Sequence, residues 1–387
     1  MTGLDQRSRG RVQQVLRTPG DSMLRFTKKG TFQISVFEDL HFGEDASADT
    51  KSSRVMNKVL SKEDAQLVVL NGDLISGEAT NSTVSDQYFD DVVAPLVDRD
   101  LSWATTYGNH DSETNLDPWA IYKRDRNYPN SHTRSMVSAP DAGITNYYLP
   151  VLASNGTSKS TPELILWFFD SKGGSYARDS EHDSGARPNW IDESVVDWFT
   201  ATNANLTAHY GKTIPSLAFF HIPANAMLAH QESRLGSRPV RGINGERVNQ
   251  QGYKGGFPYD GQDRRFMEAL LNTTGLMATF SGHDHDNDWC FKWDDQLPGV
   301  PFPGNGIHMC YGRHSGYGGY GNAARGARQI LLQQGQVTKG LQTWVRLEDD
   351  SISSPSNLST HSLHRIDTPG YSAASSPMGA ASPLVSM

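Results

Sequence analysis

Short apolar runs interrupt an otherwise polar chain, and they are of two kinds. Phe32–Phe37, Leu67–Leu70, Trp103–Tyr107, Leu164–Phe169, Leu217–Phe220 and Leu276–Phe280 are dense in apolar and β-branched residues and too short for helices, so they predict buried strands. Ser53–Leu60, Gln87–Val97, Glu193–Asn203 and Arg264–Leu271 repeat apolar residues every three or four positions and predict amphipathic helices. Strands of the first kind separated by helices of the second predict an α/β domain. The stretch from His308 to Gly326 is rich in glycine and tyrosine and reads as an ordered loop. Residues 1–23 read as a polar arm and 24–350 as one globular domain. Residues 351–387 are rich in serine and proline without apolar periodicity, which predicts a disordered tail.

The chemistry is concentrated where the strand candidates end. Asp39 and His41 follow the first, and Asp73, in Asn71-Gly72-Asp73, follows the second. Gly108-Asn109-His110-Asp111 follows the third, His221 closes the fifth, and Gly282-His283-Asp284-His285 follows the sixth. Ligands of open α/β sheets gather at the carboxyl ends of strands, where loops converge. The set mixes imidazole, carboxylate and one amide oxygen without thiolate, which suits Fe, Zn or Mn. It exceeds what one tetrahedral ion can use and predicts two ions sharing a carboxylate. Such pairs, ~3.5–4 Å apart, clamp the attacking and leaving oxygens of a phosphoryl displacement.

Composition removes other classes. The 387 residues carry 35 Lys+Arg against 43 Asp+Glu, a formal charge of -8, which argues against a nucleic-acid partner. No apolar run approaches the ~18–20 residues of a transmembrane helix. Two cysteines, Cys290 and Cys310, exclude a disulfide scaffold, and their spacing leaves a cross-strand bridge and two reduced thiols equally open. The N-terminus lacks the apolar core of a signal peptide, so a cytoplasmic location is expected, with a secreted or vacuolar one as the alternative. Sequons at Asn81, Asn155, Asn205, Asn272 and Asn357 suit that alternative.

Asp39-Leu40-His41, Gly72-Asp73, Gly108-Asn109-His110-Asp111, His221 and Gly282-His283-Asp284-His285 resemble, in order and spacing, the signature of calcineurin-like metallophosphoesterases. Phe42-Gly43-Glu44-Asp45, Asp170-Ser171, Gly173-Gly174-Ser175-Tyr176, Asp288-Trp289-Cys290 and Arg313 to Asn322 resemble the small purple-acid-phosphatase-like branch of plants and fungi. The resemblance implies a four-layer α/β/β/α sandwich. It implies Asp39, His41, Asp73 and His285 on one metal and Asp73, Asn109, His221 and His283 on the other, with Asp73 bridging. His110 would contact the phosphate and protonate the leaving oxygen, and Asp111 would orient His110. Arg313 and His314 are candidates for substrate contact or for capping their glycine-rich loop.

The implied activity is hydrolysis of a phosphate monoester, on a small molecule or a phosphoprotein, by metal-activated water with His110 as general acid. The alternatives are a phosphodiesterase and a metal-binding module without turnover. One departure stands out: purple acid phosphatases have a tyrosine three residues after the bridging aspartate and no histidine at position 41, whereas this chain has Ser76 and His41. Without that tyrosinate no iron charge-transfer colour is expected.

Overall fold

The computed structural model describes residues 23–80, 84–113, 116–175, 185–234, 241–253 and 258–360. In chain order the elements are β1 (Thr31–Phe37), α1 (Ala46–Leu60), β2 (Leu67–Asn71), α2 (Ser85–Val97), β3 (Trp103–Thr106), α3 (Pro118–Asp125), β4 (Tyr147–Val151), β5 (Leu164–Phe168) and α4 (Glu193–Tyr210). There follow β6 (Ser216–Phe219), α5 (Asn225–Arg234), α6 (Arg264–Asn272), β7 (Leu276–Ser281), β8 (Cys290–Trp293), β9 (Ile307–Tyr311), β10 (Gly326–Gln333), β11 (Gly340–Leu347) and β12 (Ile352–Ser359).

Period-two alternation assigns each strand residue to one of two cores. In β2, Leu67 and Val69 face the core between the sheets, while Val68 and Leu70 pack with the outer helices α1 and α2. In β5, Leu164, Leu166 and Phe168 face the same inner core, and Ile165 and Trp167 turn outward toward α4, α5 and α6. The sheets run β12-β11-β10-β1-β2-β3 and β4-β5-β6-β7-β9-β8. Helices cover both outer faces, so the expected four-layer α/β/β/α sandwich is the observed fold. Strands β1, β2 and β3 are mutually parallel, as are β5, β6, β7 and β9, which brings the loops leaving their carboxyl ends together.

All six strand candidates and all four helix candidates are present, with corrected limits. Helix α1 starts seven residues before its apolar repeat, because Asp45 caps it by accepting a hydrogen bond from Ala48 N. The region read as a loop from His308 opens inside a strand. Ile307–Tyr311 is fully buried and pairs with β7, and the irregular path begins only at Gly312.

The tail boundary at 350 is also corrected. The chain continues as β12, paired along β11, and Leu358 at 5% exposure joins the inner core. Residues 1–22 and 361–387 of the expected arm and tail lie outside the described residues. Burying one leucine contributes about 2 kcal/mol. A chain stopped after Asp350 is therefore expected to melt about 4 °C below one stopped after Thr360. Equal melting temperatures in a thermal scan would remove β12 from the domain.

Cys290 and Cys310 stand opposite each other on β8 and β9 and form a disulfide. Among the described residues no helix is long and apolar enough to cross a membrane.

Candidate metal centre

Parallel strands deliver the candidate ligands as chain reversals. Asp39, His41, Asp73 and His283 have φ of 54°, 49°, 50° and 76°, and they make up half of the eight non-glycine residues with positive φ among those described. Left-handed backbone at residues other than glycine costs of order 1 kcal/mol or more each and marks sites where geometry is imposed from outside. Gly72 is left-handed itself, with φ +91°, whereas Gly108 is required by close approach. A Cβ on Gly108 would lie 2.2 Å from Asp73 Oδ1 and 2.7 Å from His221 Cδ2.

Among the described residues, four groups of side chains converge closely enough to share an ion: Asp39 with His41 and His285, Asp73 with His221 and His283, His41 with Asp73 and His110, and Glu78 with His110 and Glu113. The first two contain six of the seven ligands the resemblance implies. In the first, His41 Nε2 and His285 Nε2 are 3.2 Å apart, and His285 Nε2 lies 3.6 Å from Asp39 Oδ1. In the second, His221 Nε2 is 2.9 Å from Asp73 Oδ2. Asp73 also stands between the groups, with Oδ2 3.9 Å from His41 Nε2. Asn109 Oδ1 is buried without a hydrogen-bond partner.

The other nitrogen of each imidazole is already engaged. His221 Nδ1 donates to Asn71 O at 2.9 Å and His285 Nδ1 to Tyr320 O at 2.8 Å. His41 Nδ1 meets Ser76 Oγ at 2.8 Å, and Asn249 Nδ2 meets His283 Nε2 at 2.9 Å. A backbone carbonyl only accepts, so His285 carries its proton on Nδ1 and turns a lone pair toward His41. Between those two Nε2 atoms only a proton or a metal ion satisfies both. That contact and the orphan Asn109 oxygen fit a cation-binding role for the cluster.

The electrostatics are mixed. Burial pushes the Asp39 carboxyl well above its ordinary range, and Glu38 and Asp73 add to this, which a bound cation would offset. Burial works against a charge on His221, but Asp73 outweighs it and pushes the ring up to about 10, so an ion would have to displace that proton. Burial works against Asp73 too, yet the histidines 221, 110 and 41 hold it well below. Burial, with His41 close by, pushes His285 down to about 3, leaving it neutral as a ligand must be.

His110 lies within ligating distance of His41 and Asp73; the resemblance assigns it to the substrate rather than to an ion. Its ring packs edge-on at 4.8 Å from the His41 ring, and its backbone N donates to Asp73 Oδ1 at 2.8 Å. Its partner is not the expected one. Asp111 is buried and accepts backbone hydrogen bonds from Leu74, Ile75 and Gly108, so it clamps the two ligand loops rather than orienting His110. The carboxylate at His110 Nδ1 belongs to Glu78, at 2.6 Å. Burial lowers the His110 pKa, but Asp73 and Glu78 outweigh it and push it up to about 9. Gly77 permits this placement, since a Cβ there would lie 2.7 Å from His110 O.

For Arg313 and His314 the contacts are those of the loop-capping alternative. Arg313 is buried in an ion pair with Asp288, Nη1 to Oδ2 at 2.7 Å, and donates to Ala324 O. His314 is 1% exposed, packs at 3.9 Å on the His285 ring and donates to Gly318 O. Both build the loop behind His285, and neither is free to reach a substrate. Sequence reasoning missed Glu78 and Asn249, and it assigned no role to Glu44 and Tyr320, which lie within the motifs that carry the resemblance. Glu78 and Asn249 carry no spacing signal, because each reaches the centre from a loop that only the fold brings close.

A two-sheet sandwich that gathers imidazoles, carboxylates and one amide at its strand ends defines a metal-dependent phosphoesterase. Residues 39–287 match the family model of calcineurin-like phosphoesterase, and the chain belongs to that family. It is similar to probable inactive purple acid phosphatase 14 of Arabidopsis thaliana, 26% identical over 372 residues that span 86% of this chain and 85% of that protein. It is also similar to phosphatase DCR2 of Saccharomyces cerevisiae, 30% identical over 351 residues that span 85% of this chain and 56% of the yeast protein. Among solved structures, a dimetal phosphatase from Danio rerio shares the fold, with a TM-score of 0.52 at 14% identity, covering 85% of this chain and 98% of that one.

Proposed function

We propose that this chain is a dinuclear-metal-dependent phosphatase that hydrolyses phosphate monoesters, on a small molecule or a phosphoprotein. The supporting observation is the position of Asp73, shared by two donor groups, with the backbone N–H of His110 donating to its other oxygen. Asp39, His41, Asp73 and His285 would hold one ion, and Asp73, Asn109, His221 and His283 the other. When bound, the ions would supply Lewis acidity to the phosphoryl oxygens and bring the pKa of water toward neutrality. The chain's own residues do the rest. Glu78 holds Nδ1 of His110, which leaves Nε2 to meet the substrate. As the ester P–O bond breaks and a water oxygen bonds to phosphorus, that imidazolium gives its proton to the departing oxygen. The plant relatives' names include "inactive", but every donor that the resemblance implies is present here.

The test is metal analysis joined to a phosphate-release assay on the chain loaded with Mn, Zn or Fe. Two ions per chain and faster cleavage of an aryl monoester than of the matching diester are expected. A faster diester reaction would make the chain a phosphodiesterase. Two ions without turnover would make it a binding module, and no tight ion would end the reading altogether.

The Cys290–Cys310 bridge supports an oxidising compartment over the cytoplasmic location expected from the N-terminus. The exposed sequon residues Asn155, Asn205, Asn272 and Asn357 suit the same compartment.

A further inference from the structure

Ser76 sits where the resembling phosphatases place a tyrosine ligand, and it does not reach inward as a ligand would. Its hydroxyl lies between two groups, His41 Nδ1 at 2.8 Å and Glu44 Oε1 at 2.5 Å, and that same Glu44 oxygen is 3.4 Å from His41 Nδ1 directly. A hydroxyl has one proton to give, and an ionised carboxylate only accepts. Ser76 therefore donates to Glu44 and accepts from His41 Nδ1–H. This direction of hydrogen bonding leaves the lone pair of His41 on Nε2, the atom that faces His285 Nε2. Glu44 is itself held, because its other oxygen accepts from Gly319 N at 2.7 Å. Gly319 lies flat on the same two imidazoles, with a Cβ there only 2.5 Å from His285 Cε1 and 3.1 Å from His41 Cδ2. The other three candidate imidazoles are oriented by two backbone carbonyls and an amide, so His41 alone among them is tied to a carboxylate through a side-chain relay.

We propose that Ser76 and Glu44 form a positioning relay that fixes the tautomer and orientation of His41. The inference rests on the metal-centre reading above. Partners that orient a metal-bound histidine govern metal affinity, and their loss typically costs about 10–100-fold. One ion should respond and the other should not, because the second donor group draws nothing from Ser76.

The experiment is a competition titration of Zn²⁺, and separately Mn²⁺, against a chromophoric chelator, on the full chain. Wild type is expected to bind two ions. Ser76→Ala should bind one with unchanged affinity and the other about 10–100-fold more weakly. Ser76→Thr, which keeps the hydroxyl, should restore the second affinity. Glu44→Ala removes the far end of the relay at a half-exposed position and should weaken the same ion. It also gives the answer should Ser76→Ala fail to fold, which circular dichroism of the metal-free protein reveals. Two wild-type affinities in both folded Ala variants would overturn the relay. Equal weakening of both ions, or no rescue by threonine, would do so too, since the effect would then be general. Fewer than two ions on wild type would instead refute the metal-centre reading itself.

Discussion

Replacement of Asp73 by alanine is expected to leave a folded chain that holds no more than one tight metal ion and has lost turnover. The carboxylate is used in three directions at once. Oδ2 lies 2.9 Å from His221 Nε2 and 3.9 Å from His41 Nε2, one from each donor group, and Oδ1 accepts the backbone N–H of His110 at 2.8 Å. Losing a single electrostatic contact at a reacting centre costs about 10²–10³-fold. Removing Asp73 disturbs both metal positions and the seat of His110, so the loss should exceed that range. Asp73→Asn is the informative companion: it keeps the volume and an acceptor oxygen but not the charge, and should retain the fold while weakening both ions. Metal content by elemental analysis, read beside turnover, is the check. A variant with two ions and near-normal rate would take Asp73 out of the shared position.

His110→Ala should behave in the opposite way, keeping both ions and losing rate according to the substrate. General-acid assistance is worth about 10²–10⁴-fold when the leaving oxygen is basic. An alkyl phosphate should therefore slow by that factor, and an aryl phosphate with an acidic phenol much less. Glu78 makes the test sharper. It faces His110 Nδ1 at 2.6 Å and is a main support of the positive charge on that ring. Glu78→Gln should reproduce a smaller part of the same leaving-group dependence. Asp111→Asn should not, because Asp111 holds only backbone amides and its loss falls on stability. Equal slowing of both substrates in His110→Ala, with metals intact, would make His110 a phosphate-positioning group. Loss of an ion would make it a ligand.

Six of the parallel strands and the residues at their ends were legible in the sequence, and the reason is burial; β9, read as the start of a loop, is the exception. Strands covered on both faces must be apolar throughout, so β1, β2, β3, β5, β6 and β7 stand out from polar surroundings, and a polar or ligating residue directly after each is conspicuous. The C-terminal strands β10, β11 and β12 are antiparallel and partly exposed, and their alternating or polar composition resembles loop or tail. The tail boundary failed for that reason. Stretches such as Ile352–Ser359 acquire strand structure from the neighbour they pair with, not from their own composition.

The same division runs through the metal centre. Asp39, His41, Asp73, Asn109, His221, His283 and His285 were identifiable because each occupies the first turn after a strand, where chain direction alone aims it at a common point. The resemblance misled where it implied that Asp111 orients His110. Only the tertiary structure decided the partners. Glu78 reaches His110 because a short turn at Gly77–Ala79 packs on the turn that carries His110, and Arg313 meets Asp288 because the fold buries both. Hydrogen bonds act over about 3 Å and carry no record of sequence separation. The sequence by itself thus determined which residues stand at the converging strand ends, and the packing of loops from different strands determined which side chain meets which.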